Sequence, residues 1–172
     1  MDILFTLSTN DFDESWQRSK RPSVRGIIIK SDKLAMVYST RDDYYKFPGG
    51  GIENEEDHRS TLIREVKEET GLNVIPSSIN EFGEAILLRK SDFLENTIFE
   101  QENFYYFCNT EDDISSQQLD DYEMKAGFTL NFVTAEEAIQ TNLKNAPNDP
   151  SMMLEREAKV LQLLLDSGYI NA

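Results

Sequence analysis

Residues 50–72 read GGIENEEDHRSTLIREVKEETGL: a glycine turn, a stretch dense with carboxylates, and a glycine stop. The spacing predicts a helix over about 57–70, with Asp57 as its N-cap and Gly71 as the left-handed residue after its last turn. Leu62 and Val66, at i and i+4, form an apolar strip that can dock the helix onto a sheet. Glu65, Glu68 and Glu69 fall at i, i+3 and i+4 and so share one face. Like charges at those spacings weaken an isolated helix by roughly 0.2–0.5 kcal/mol per pair, so the cluster calls for a counter-charge. A divalent cation would supply one, because hard ions such as Mg²⁺ take oxygen ligands and sit between carboxylates and substrate phosphates. A solvated acidic helix face is the alternative.

The pattern is more specific than its charge. Gly50, five residues, Glu56, seven residues, Arg64-Glu65-Val66, one residue, Glu68-Glu69, one residue and Gly71-Leu72 resembles the complete Nudix box. Seven fixed residue types, each at a usage of roughly one in fifteen, coincide in on the order of one in 10⁸ windows. The strands and helices read on either side are similar to the Nudix fold as well. Many relatives carry Pro-Gly just before the first box glutamate; Asn54-Glu55 stand there in this chain, a change that alters the loop and removes no ligand.

The resemblance implies an α/β fold, an α/β/α sandwich with a mixed β-sheet, spanning residues 1–172 as a single domain. It implies a pyrophosphohydrolase that uses Mg²⁺, with Mn²⁺ as the other cofactor, to cleave a nucleoside diphosphate linked to another moiety. The metal ligands it implies are Glu68 and Glu69, with the Gly49 carbonyl and Glu65. A glutamate orients or deprotonates the attacking water, either Glu65 or a loop acid, for which Glu123 fits better than Asp120 or Asp121. Arg64, which can reach Glu68 at i+4, is the arginine that holds a catalytic glutamate in place. Arg41, Lys46 and Arg89 are candidate phosphate contacts, weighed against ordinary surface charge. ADP-ribose hydrolases of the family often carry a proline downstream of the box, and diadenosine polyphosphate hydrolases a tyrosine. Residues 85–89 hold neither, and the upstream motif of coenzyme A hydrolases is missing, which leaves a nucleoside triphosphate or a nucleotide sugar. Two other classes share the fold: a nucleotide-binding sensor without turnover, and a prenyl diphosphate isomerase. The isomerase needs a cysteine and acid arrangement that a lone Cys108 in a strand does not offer.

The bulk of the chain agrees with a nucleotide-sized substrate. With 32 acidic and 17 basic residues the net charge is −15, which disfavours nucleic-acid polymers and anionic membranes as partners, since both are met by basic patches. A small nucleotide can arrive with its cation and meet a few local positive groups. A single cysteine, Cys108, allows no intrachain disulfide and fits a reducing cytoplasm. Three glycines at 49–51 follow Phe47-Pro48, allowing close backbone approach and a carbonyl aimed at a cation.

Outward from the box, 24–30 (VRGIIIK) and 34–39 (LAMVYS) read as strands joined by a turn, and 79–89 and 97–109 as an antiparallel pair. Either Glu100 or Glu102 could line the site. Residues 1–21 read as an N-terminal arm that covers a sheet edge, caps the site or forms a homodimer contact, with Trp16 as its anchor. His58, the only histidine, is expected to be an exposed first-turn residue rather than a catalytic imidazole. The stretch 111–123 reads as an acidic loop, 127–133 as a strand, 134–141 as a short helix with a Thr134/Glu137 capping box, and 151–166 as a terminal helix.

Overall fold

The structure, a computed structural model, describes residues 1–53 and 55–171; Asn54 of the Asn54-Glu55 pair lies outside the described residues. The strands in chain order are β1 (Ile3–Ser8), β2 (Gln17–Ile27), β3 (Ile29–Lys30), β4 (Lys33–Ser39) and β5 (Tyr44–Lys46). After helix α1 (His58–Thr70) come β6 (Leu72–Val74), β7 (Asn80–Lys90), β8 (Thr97–Phe107) and β9 (Thr110–Ile114). Helix α2 (Asp121–Ala126), strand β10 (Phe128–Val133) and helices α3 (Ala135–Asn145) and α4 (Met153–Asp166) complete the order.

The larger sheet is mixed, in the order β1-β7-β8-β2, with β1 parallel to β7, β2 parallel to β8, and β7 antiparallel to β8. In a second sheet β4 pairs antiparallel with β10, β3 and β5. Alternation along β4 separates two cores: Leu34 and Met36 pack with Ala135, Ala138, Val160 and Leu161 of α3 and α4, while Ala35 packs with Leu62 and Val66 of α1. Helix α1 thus covers one face and the α3–α4 pair the other, which is the expected α/β/α sandwich.

The box helix forms as its sequence dictates. Asp57 accepts a hydrogen bond from the Ser60 amide, and Gly71 closes the last turn at φ 77. Glu55, just before the first box glutamate, adopts φ 70, a conformation that costs a residue with a Cβ roughly 1–2 kcal/mol. Glu55→Gly is therefore expected to stabilise the chain by up to about 1 kcal/mol after glycine's larger unfolded-state entropy is subtracted. A thermal midpoint unchanged or lowered by this substitution would contradict that reading.

Several boundaries differ from the sequence reading. Strand β2 begins at Gln17, not near Val24, so Gln17 to Arg21 pair with β8 instead of forming part of an arm. Cross-strand ion pairs explain the extension: Arg18 reaches Glu100 at 2.8 Å and Lys20 reaches Glu102 at 2.8 Å. β1, for its part, adds a parallel edge strand to β7. The acidic stretch is not all loop, since it contains β9, paired with β6, and α2, which carries a full Asp120/Glu123 capping box. Helix α3 runs on to Asn145 because buried Asn142 clasps β5, its amide bonding both the N–H and the carbonyl of Tyr45 at 2.8 Å. Only the Thr134-to-Glu137 half of the expected capping box forms there.

Candidate active site

A cleft of about 580 Å³ opens between the C-terminal half of α1, the glycine turn, β2 and α2. Gly49, Gly50, Glu65, Glu69 and Glu123 line it, together with Arg21, Arg25 and Lys46. The turn is specific to glycine at two points. Gly49 has φ 141, and a Cβ on it would fall 2.1 Å from the Val24 carbonyl oxygen. A Cβ on Gly50 would fall 2.3 Å from Oε2 of Glu65, so that carboxylate occupies the space a side chain would need.

Glu69 is the junction of turn and helix. Only 1% exposed, it accepts a hydrogen bond from the Gly49 amide at 2.8 Å through Oε2 and pairs with Lys46 Nζ at 2.5 Å through Oε1. The Gly49 carbonyl in turn accepts from the Arg25 guanidinium and from Lys46 Nζ. Lys46 is held in place by β5 and by the Phe128 ring, whose centroid lies 5.0 Å from Nζ. Burial, and then the Glu69 charge, raise the Glu65 carboxyl above its ordinary range despite Arg64 beside it. Burial and the Glu69 charge also push Glu123 up to about 7, although its cap bond to the Asp120 amide favours the ionised form.

Arg64 organises the outer edge of this cluster. It forms a fork with Glu56, both contacts at 2.8 Å, and also reaches Glu65 at 2.7 Å and Glu68 at 3.1 Å. The Glu56 pairing spans eight residues and is more extensive than the i+4 contact to Glu68; it holds the Glu56 carboxyl down to about 2. Glu68 is more exposed and does not line the cleft.

The other predicted residues are placed as follows. Lys46 lies in the cleft. Arg41 points elsewhere, paired with Asp42 at 2.6 Å on the surface. Arg89 pairs with Asp92 at 2.5 Å and stacks 4.7 Å from the Phe99 ring, outside the carboxylate cluster. Asp120 is at the cleft rim, whereas Asp121 opens α2 and does not line the cleft. Glu100 and Glu102 are occupied by Arg18 and Lys20. His58 is half-buried rather than exposed: Nδ1 lies 2.7 Å from the Tyr106 hydroxyl and the ring packs 4.4 Å from Phe104. Cys108 sits just past the end of β8, buried, and its thiol is pushed up to about 12 by that burial.

Two features of the site went unread in the sequence. Arg25 is a cation inside a β-branched run, and that mismatch was the available signal. Beneath the turn, fully buried Glu157 accepts from the Phe47 amide at 2.8 Å and pairs with Arg156. Its signal was a carboxylate on the apolar stripe of α4, in line with Leu154, Leu161 and Leu164.

Among the described residues, no three His, Cys, Asp or Glu side chains are placed closely enough to grip one ion; Lys46 supplies the counter-charge to Glu69 instead. The chemistry nonetheless fits: every donor is an oxygen, and Glu65 and Glu123 carry raised carboxyls that a cation would relieve.

An α/β sandwich whose carboxylate-bearing helix faces a glycine turn across an open cleft is the class of protein these observations define. A family model described as NUDIX domain matches residues 19–155, and the chain belongs to that family. Nudix hydrolase 25 of Arabidopsis thaliana is 43% identical over 54 residues, a match spanning 30% of this chain and 31% of that relative. Among solved structures, the fold is similar to a MutT protein from a study of Aliivibrio salmonicida and Vibrio cholerae. The TM-score is 0.55 and the identity 18%, over 87% of this chain and 99% of that one. MutT from Bacillus halodurans gives a TM-score of 0.54 at 21% identity, over 70% and 72% of the two chains. At these identities the likeness is one of fold.

Proposed function

We propose that the protein is a pyrophosphohydrolase that cleaves a nucleoside diphosphate linked to another moiety, with Mg²⁺ as cofactor. The observation that carries this reading is the convergence of Glu65, Glu69, Glu123 and the Gly49 carbonyl on one cleft within a Nudix domain. Glu69, Glu65 and the Gly49 carbonyl would hold the cation; Glu68, on the same helix face but outside the cleft lining, would have to swing away from Arg64 to join them. When bound, it would offset charge on the pyrophosphate and lower the pKa of an attacking water.

The remaining work falls to side chains. Arg64 fixes Glu65 and Glu56 relative to the helix, so the carboxylates need not reorganise as charge moves. Glu123, which lines the cleft beside Glu69, would serve as the general base, and Glu65 is the alternative acceptor of the water proton. Lys46, released from Glu69 when the cation takes that partner, can turn to a substrate phosphate oxygen. The substrate preference is a nucleoside triphosphate or a nucleotide sugar. A cytoplasmic enzyme acting on small nucleotides fits the acidic surface.

Product release from nucleoside triphosphates, nucleotide sugars, ADP-ribose and dinucleoside polyphosphates, with Mg²⁺ or with chelator, tests the reading. Metal-dependent release is expected. Binding without any product would instead indicate a sensor. Cys108→Ser is expected to leave hydrolysis at the wild-type rate, because a buried thiol pushed up to about 12 is neither thiolate nor accessible at neutral pH. Loss of turnover in a normally folded Cys108→Ser protein would point to the isomerase class.

A further inference from the structure

Beside the carboxylate cleft lies a second, smaller pocket of about 200 Å³. Arg21, Arg25, Arg89 and Arg156 line it, four of the chain's eight arginines, and no acidic residue does. In a chain of net charge −15 such a concentration of one sign is not a sample of the average surface. The pocket shares Arg21, Arg25 and Gln101 with the wall of the cleft, so the two spaces adjoin. Leu87, Phe99 and Met153 give it an apolar side, and Gln101 and Ser151 add polar groups.

The four cations are unequally satisfied. Arg156 pairs with Glu157, and Arg89 with Asp92. Arg25 and Arg21 have no carboxylate partner among the described residues. Arg25 is only 7% exposed, bonds the Gly49 carbonyl through one guanidinium nitrogen, and leaves its Nε buried without any partner. A buried N–H without an acceptor is uncommon and calls for an oxygen partner, from a water or a ligand. Forked guanidinium donors suit tetrahedral oxyanions.

We propose that this arginine pocket binds a phosphate group that is not part of the scissile linkage. The site would then prefer substrates carrying an additional phosphate next to the pyrophosphate held in the cleft. The link to the substrate rests on the function proposed above; phosphate binding in the pocket does not. The same chemistry has two sources, a phosphate carried by the substrate or the free ion, and the test separates them.

Titration of inorganic phosphate into the whole protein, in chelator, is the first measurement, with Arg21→Ala and Arg89→Gln as variants. Both residues lie at the surface rim, so the variants are expected to fold, whereas Arg25 and Arg156 are too buried to serve. Saturable binding is expected in the wild type and in Glu69→Gln. It should weaken about tenfold in each arginine variant, the scale of one lost charge-assisted bond. No saturable binding by the wild type, or unchanged binding in both variants, would overturn the proposal. This arm needs no turnover, so it stands apart from failure of the hydrolase reading. The second measurement compares kcat/KM for matched compounds with and without one extra phosphate, such as a dinucleotide and its 2′-phosphate or coenzyme A and its 3′-dephospho form. A preference for the phosphorylated member that shrinks about tenfold in Arg21→Ala assigns the phosphate to the substrate. Phosphate binding with no such shift in the ratio overturns the substrate assignment and leaves the free ion as the ligand.

Discussion

Glu69→Gln is expected to lower kcat by on the order of 10²–10³-fold or more, while the protein remains folded and still takes up nucleotide. The substitution keeps size and shape and one carbonyl oxygen, enough to accept the Gly49 amide hydrogen that Oε2 now receives. It removes the charge and sets an amide against the Lys46 ammonium, where Oε1 now stands at 2.5 Å. The folding cost is confined to that buried contact, roughly 1–3 kcal/mol, so circular dichroism and thermal melting should still report a cooperative domain. A separate readout is the stabilisation gained on adding Mg²⁺ or Mn²⁺, which should shrink in the variant if Glu69 is a ligand. Near-wild-type turnover by a folded Glu69→Gln protein would sink the assignment.

The same contact explains why Glu69 is a better anchor than its neighbours. Glu68 is half in solvent and restrained only by Arg64, so it can swing with little penalty. Glu69 is fixed by a backbone amide and by a lysine from β5, two partners outside its own helix. A divalent cation held here would take over from Lys46 as the counter-charge of Glu69, so the buried carboxylate would stay paired. Lys46 lines the same cleft, so its ammonium would then be free to meet a substrate phosphate.

What could be read from the sequence was what is local. The N-cap of α1, its docking strip Leu62/Val66 and its glycine end depend on spacings of a few residues, and all form as read. The strand read at 34–39 also forms, as β4, but its place between two helical layers rests on contacts remote in sequence. The partners of the site residues were less legible because they are distant in sequence: Lys46 with Glu69, Arg64 with Glu56, Arg25 with Gly49. β9 was read as loop because most of its residues are exposed and its pairing with β6 is remote. α2 was a different case, since Asp120 and Glu123 carry the spacing of a capping box. His58 was misread because its aromatic neighbours come from β8, nearly fifty residues on.

The second large effect is expected far from the cleft surface. Glu157→Leu should destabilise the protein by about 3–5 kcal/mol, because it leaves the Arg156 guanidinium buried without its counter-ion. Both side chains are essentially inaccessible, at 1% and 0% exposure, so water cannot substitute for the lost carboxylate. For a chain of this size that corresponds to a fall of roughly 10 °C or more in thermal midpoint. Arg156→Leu with Glu157→Leu should recover a good part of the loss by removing the orphaned charge. Recovery should stop short of wild type, since the Phe47 amide loses its 2.8 Å acceptor and Asn103 loses the Arg156 donor at 2.7 Å. The Phe47 bond also ties α4 to the residue two positions before Gly49, so the double variant should show reduced kcat even where its stability is adequate. A double variant that regains stability and full kcat together would mean that the turn holds its shape without α4. A single variant that melts at the wild-type temperature would mean that the buried pair contributes nothing to the fold.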